Sequence, residues 1–157
     1  VIAKIKPNNV IEFKRPNLPK FYYDDWERVP KGQYEATFMT WSTFQFRTAT
    51  KIALIFSIIE YGQYFEKVVP MFCNVKKHKG KIGERGQFIA PARGDLIKKV
   101  FYGLNPEHPK IRPDRVPLTK LEGRLYKITT DDVINDSDQN KLPEQMIYSK
   151  VVKVENI

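Results

Sequence analysis

Cysteine, histidine and long apolar runs are scarce in this chain, and each scarcity closes off a class of function. Cys73 is the one cysteine, so no internal disulfide exists, and with His78 and His108 it leaves too few soft ligands for a metal cage. It sits inside an alternating apolar run and reads as a buried small hydrophobe in a reducing, cytoplasmic setting. No stretch approaches the ~18 consecutive apolar residues of a membrane helix, so no membrane partner is expected. The opening VIAKIKPNN has no apolar region of the signal-peptide kind. The two histidines stand in no Ser-His-Asp arrangement, and no acidic pair on a strand is followed by the lysine pattern of a nuclease. The chain therefore reads as a non-enzyme with no catalytic residue and no cofactor. Asp131, Asp132, Asp136 and Asp138 match a calcium loop in composition only, lacking its order and its terminal glutamate, so no metal is expected.

What the chain does have is aromatic and basic. Aromatic content is 13% and hydrophobic content 41% over 157 residues, enough for one domain with a real core. The net charge of +9 is carried by residues 61–127, which hold 15 Lys and Arg against 6 Asp and Glu; the rest of the chain is balanced. A field concentrated in this way attracts polyanions.

Residues 1–31 are rich in breakers (Pro7, Pro16, Pro19, Pro30) and read as an N-terminal arm. Its FYYDDW cluster, residues 21–26, either lies across the body or engages a partner. The domain proper spans 32–157. From Gly32 to Val75 the period-two alternation predicts three strands, carried by Tyr34, Ala36 and Phe38, then Ile52, Leu54, Phe56 and Ile58, then Val69, Met71 and Cys73. The first strand is expected to end near Trp41, with STFQFRTAT as a loop, and the third to run from about Tyr64. Three glycines in VKKHKGKIGERG, residues 75–86, predict a pliable lysine-rich loop. Its spacing does not match a nucleotide phosphate loop. Residues 93–103 predict a short helix with Leu96, Ile97, Val100 and Phe101 as its apolar stripe. Residues 104–120 carry four prolines and read as a stiff loop. Two more strands are expected at 120–130 and 146–154.

Three strands, a helix and two strands make an all-β chain with one short helix, in the order of an OB-fold-like five-stranded barrel. Other small barrels, or an antiparallel sheet with one packed helix, share the same string of elements. The pattern Gly32-x-Tyr34, Lys51-x-Ala53-Leu54-x-Phe56-x-Ile58, Gly62-x-Tyr64 and Asn74-Val75 resembles OB-fold single-stranded DNA-binding proteins of phages and mobile elements, over residues 32–130. That resemblance implies binding of single-stranded DNA without sequence preference, beside a replication or recombination protein. The chain departs from familiar bacterial members in ending KVVKVENI, without a glycine-rich tail or acidic tip.

Such binding needs ring faces for bases and cations for phosphates. The stacking candidates are Trp41, Phe44, Phe46 and Tyr64. The phosphate candidates are Arg47, Lys51, Lys67, Lys76, Lys77, Lys79, Lys81, Arg85 and Arg93. Arg112 and Arg115 either extend that track or pair with Asp114 and Glu107. The pattern serves RNA and single-stranded DNA alike. An alternative is a protein-interaction module or accessory subunit of a replication or recombination complex. The terminal YSKVVKVENI either completes the barrel or adds an edge strand to a second copy.

Overall fold

The computed structural model describes residues 28–136 and 138–157, so the FYYDDW cluster lies outside the described residues. A five-stranded antiparallel sheet is built from β1 (Gly32–Phe46), β2 (Ala49–Ile58), β3 (Val68–Asn74), and, after two short strands β4 (Lys77–Lys79) and β5 (Gln87–Ile89), β6 (Leu125–Val133) and β7 (Tyr148–Asn156). The order across the sheet is β3-β2-β1-β6-β7, and β4 pairs with β5 as a separate hairpin.

The expected five-stranded barrel is corrected here, because the sheet does not close. No backbone ladder joins β3 to β7. Phe72 of β3 meets Tyr148 of β7 edge-on at 6.5 Å, so side chains, not hydrogen bonds, meet across the gap. Pro70 lies in the middle of β3, opposite Ile55. Proline brings no N–H to a ladder and is confined to strands of this edge kind. What stands is an all-β domain with a five-stranded sheet and one short helix.

β1 is longer than its alternation suggested. Thr43, Phe44 and Phe46 continue the strand, and the reversal into β2 is a two-residue turn at Arg47-Thr48, with Arg47 at φ 55°. A bulge between Phe38 and Thr40 makes this possible. One extra residue reverses the parity of every later side chain. Ala36 and Phe38 face the main core before it, whereas Trp41 and Thr43 share that face after it, opposite Leu54 and Ile52. Phe44 is thereby sent to the other face, into a smaller cluster with Ala53 and Ile55.

The main core lies between the sheet and a helical segment, α1, made of a π-helical turn Leu96–Phe101 continued by an α-turn Tyr102–Leu104. Leu96, Ile97, Val100 and Phe101 are all buried, as the stripe predicts. Each such side chain contributes about 1.5–3 kcal/mol by leaving water. Asp95 does not cap the helix with its side chain; it pairs with Lys99 at 3.4 Å. Residues Leu118–Leu121 form a 3-10 turn, so the fourth long strand starts at Leu125. The third strand starts at Val68, because residues 59–67 turn back with Gly62 at φ 142° and Glu66 at φ 66°. Val29, just before β1, is buried in the same core, and Ser149 both accepts from its N–H (2.9 Å) and donates to its carbonyl (3.0 Å).

The lysine-rich segment is pinned, not pliable. β6 pairs with β1 only over Gly32–Thr37, which leaves the far half of β1 with an open edge. Residues 83–86 cover it. Thr43 N–H donates to the Gly83 carbonyl (2.9 Å), Gly83 N–H donates to the Thr43 hydroxyl (3.0 Å), and Arg85 N–H donates to the Trp41 carbonyl (2.9 Å). Gly86 must be glycine, since a Cβ there would collide with the Thr43 hydroxyl and press on the Gly83 carbonyl at 3.1 Å. Replacing Gly86 by alanine should therefore cost about 1–3 kcal/mol in urea unfolding. At the bulge, the buried Thr40 hydroxyl finds no partner among the described residues. Thr40→Val should leave the fold intact and raise stability by about 0.5–2 kcal/mol, because an orphaned buried hydroxyl is replaced by a methyl of the same shape.

Candidate functional site

Most of the predicted binding side chains are already engaged within the chain. The Trp41 indole N–H donates to the Gly86 carbonyl at 3.0 Å, and the Arg85 guanidinium lies 4.5 Å over its ring, so both edge and face are occupied. Phe44 is buried edge-on to Phe72 at 5.9 Å. Phe46 is half-buried with Arg47 5.9 Å above it, and Tyr64 packs edge-on against Tyr34 at 6.1 Å. These four rings do not share one surface: Trp41 and Phe44, three positions apart in the unbroken register after the bulge, lie on opposite faces of the sheet.

The cations are dispersed in the same way. Arg47 grips Asp138 with two hydrogen bonds of 2.6 and 2.8 Å, and that contact holds the Asp138 carboxyl below its ordinary range. Arg85 pairs with Glu122 at 2.9 Å, and Lys79 Nζ donates to the Asp114 carbonyl at 3.4 Å. Arg112 pairs with Asp114, holding the proline-rich loop. Lys51 is half-buried in β2, and its carbonyl accepts from His78 Nε2 at 2.9 Å. Lys67 is half-buried after the 59–67 turn, and Lys76, Lys77, Lys81 and Arg93 are exposed. A concavity of about 490 Å³ lies within residues 79–87, but its Lys79 and Arg85 are committed and Glu84 stands in its wall. No positively charged groove joins these residues among those described.

A larger concavity stands elsewhere, and no sequence motif marks it. It is a cleft of about 660 Å³ between the end of α1, the Leu118–Leu121 turn, the start of β6 and the end of β7. Buried Phe101, Leu121 and Tyr126 form its floor. The Tyr126 hydroxyl donates to the Leu121 carbonyl at 2.8 Å, and burial raises its phenol pKa while the charge of Arg124 opposes the shift. Asn156 Nδ2 donates to the Leu104 carbonyl at 2.6 Å, tying β7 to the helix end. His108 stands edge-on to Phe101 (5.8 Å) and Tyr102 (6.2 Å). Its Nδ1 is 2.7 Å from the Pro109 carbonyl. A carbonyl only accepts, so Nδ1 carries the hydrogen in this contact. Lys120 and Arg124 stand at the rim, and no carboxylate among the described residues pairs with either. Proline spacing showed a stiff loop over 104–120. That the loop walls a cleft depends on β6 and β7, which come later in the chain.

The acids and the thiol have structural roles. Asp132 pairs with Arg28 at 3.0 Å and Asp131 with Lys31 at 3.2 Å. Asp136 accepts N–H groups from Asp138 and Asn140. Among the described residues, no helix is long and apolar enough to cross a membrane.

Comparison with known proteins adds no relative: no family model matches the chain, and neither a curated protein nor a solved structure does. The resemblance to OB-fold single-stranded DNA-binding proteins of phages and mobile elements is thus corrected, because the sheet is not closed into the barrel that carries it. Single-stranded nucleic-acid binding, and the replication or recombination partner attached to it, fall with that barrel. The rings meant to carry them are divided between the two faces and packed within the chain, and of the cations Arg47, Lys79 and Arg85 are bound to the chain's own groups.

Cys73 is buried, and burial pushes its thiol from 9.0 up to about 12. The unfolded chain therefore ionises first as pH rises, and the thiol's contribution to stability is lost between pH 9 and about 12. The loss approaches ~1.4 kcal/mol per pH unit within that window. Urea unfolding between pH 8 and 10 should show a steeper decline for the native sequence than for Cys73→Ala. The folded protein should resist thiol reagents at pH 8 and react on unfolding.

Proposed function

We propose that this chain is a non-catalytic binding domain whose ligand is a small anion with a flat apolar body, held in the cleft between α1 and the start of β6. One observation carries the reading: Lys120 and Arg124, without carboxylate partners among the described residues, stand over a floor of buried Phe101, Leu121 and Tyr126, and the acid in the same wall, Glu122, is taken up by Arg85. A volume of about 660 Å³ suits an organic ligand. The guanidinium fork of Arg124 matches a carboxylate, and Lys120 adds a second positive charge. His108 adds a polar ring to the cleft wall. The non-catalytic part is supported by how the reactive groups are used. Cys73 is buried and held protonated, both histidines bond to main-chain carbonyls, and Asp131, Asp132 and Asp138 are paired with cations. The unpaired thiol of Cys73 supports a reducing compartment, the cytoplasm.

Calorimetric titration with benzoate, indole-3-carboxylate and inorganic phosphate tests this directly. The two aromatic carboxylates should bind more tightly than phosphate. Lys120→Ala and Arg124→Ala should each weaken them about tenfold, the loss of one charge-assisted hydrogen bond. Ligand recovered after long incubation should be chemically unchanged. Equal binding by the double variant, or no saturation by either carboxylate, would overturn the cleft assignment. Conversion of the ligand would overturn its non-catalytic character.

A further inference from the structure

A second feature, independent of the cleft, is the turn between β2 and β3. Tyr61 is 97% exposed and Phe65 45%, yet the two rings are ordered against each other, stacked at 5.9 Å with an interplanar angle of 11°. The turn that holds them is bonded throughout. Phe65 N–H donates to the Gly62 carbonyl (3.3 Å), Lys67 N–H to the Tyr64 carbonyl (3.1 Å), and Glu66 N–H to the Ile58 carbonyl (2.7 Å). Ile59 N–H donates to the Glu35 carbonyl (2.9 Å), which anchors the turn to β1. Rings held in place before a partner arrives lose little entropy on binding, the quality that makes aromatic residues binding hot spots.

The charge around these rings is opposite to that of the chain as a whole. Glu60 precedes Tyr61, Glu66 follows Phe65, and Glu60 Oε1 accepts from the Glu35 N–H at 3.3 Å, bringing a third carboxylate's residue alongside. None of the three carboxylates forms an ion pair among the described residues. Lys127 stands opposite Glu35 and Lys67 follows Glu66, so three acids against two bases leave this corner acidic in a chain whose net charge is +9.

We propose that the Tyr61–Phe65 pair and Glu35, Glu60 and Glu66 form a docking surface for a basic protein segment that presents an arginine side chain. A guanidinium lies flat on the open face of Tyr61 while its N–H groups reach the flanking carboxylates. Arginine suits this site better than lysine, since its planar, weakly hydrated cation stacks and forks at once.

Fluorescence polarisation with labelled peptides, identical except for two arginines, two lysines or two glutamates at fixed positions, tests the assignment. The arginine peptide should bind most tightly and the glutamate peptide not at all. Tyr61→Ala and Phe65→Ala should each weaken the arginine peptide about tenfold. The pair Glu60→Gln and Glu66→Gln should weaken it and flatten its salt dependence. Tyr61 is almost wholly in water, so its variants should keep the native circular dichroism and Tm. Retained affinity in Tyr61→Ala, equal affinity for lysine and arginine peptides, or no binding of the arginine peptide would overturn the proposal. So would sedimentation showing a dimer that Tyr61→Ala dissolves, because the occupant would then be a second copy. Lys120→Ala and Arg124→Ala should leave peptide binding unchanged, which separates this surface from the cleft.

Discussion

The far half of β1 has lost its sheet neighbour, and the structure around it depends on how that edge is satisfied. β6 leaves β1 after Thr37, so Trp41 and Thr43 would otherwise present open backbone groups beside a buried core. Residues 83–86 supply the partners, and the glycines there have a steric task. Gly86 lets main chain approach the Thr43 hydroxyl more closely than any side chain permits. Trp41 and Arg85 then close over the junction, one by a hydrogen bond and the other by lying on its ring. Arg85, which reads in the sequence as part of a phosphate track, is thus part of a structural clamp. Arg85 is held further by Glu122, so the clamp also reaches the wall of the cleft.

The bulge after Phe38 is the second constraint. It lets one strand serve two apolar clusters, with Phe38 and Trp41 on the main core and Phe44 on the smaller one. It also divides the aromatic residues between faces, which removes any continuous stacking platform. The seam between β3 and β7 is open: Pro70 brings no N–H to β3, and Phe72 and Tyr148 meet across the seam by their rings. Both surfaces proposed for binding lie away from the strand faces. The cleft lies where the proline-rich loop is held against β6 and β7, and the stacked rings sit on the turn that follows β2.

These two surfaces differ in charge as well as in place. The cleft carries Lys120 and Arg124 above aromatic carbon, whereas the turn carries Glu60 and Glu66 around two exposed rings, with Glu35 of β1 alongside. A basic average describes neither. Several charges find partners of opposite sign: Arg85 of the clamp with Glu122, Arg47 with Asp138 of the acidic loop, and Arg28 with Asp132 of β6. Exposed pairs of this kind add little stability, but they remove cations from any shared electrostatic field.

What the sequence determined by itself is the local periodicity. Alternation at Ile52, Leu54, Phe56 and Ile58 makes β2 a strand with a buried face, and the stripe at Leu96, Ile97, Val100 and Phe101 buries one side of α1. Both follow from the geometry of a few successive residues. Whether the sheet closed, which face received Phe44, and which cations remained unpaired were decided by the tertiary structure. A bulge shows itself only when β1 is laid against β2, and Arg47 meets an acid 91 positions away. The cleft is of the same kind, since its floor joins Phe101 to Tyr126 and its edge reaches Asn156. Such contacts depend on register and chain reversal, which leave no period in the sequence to read.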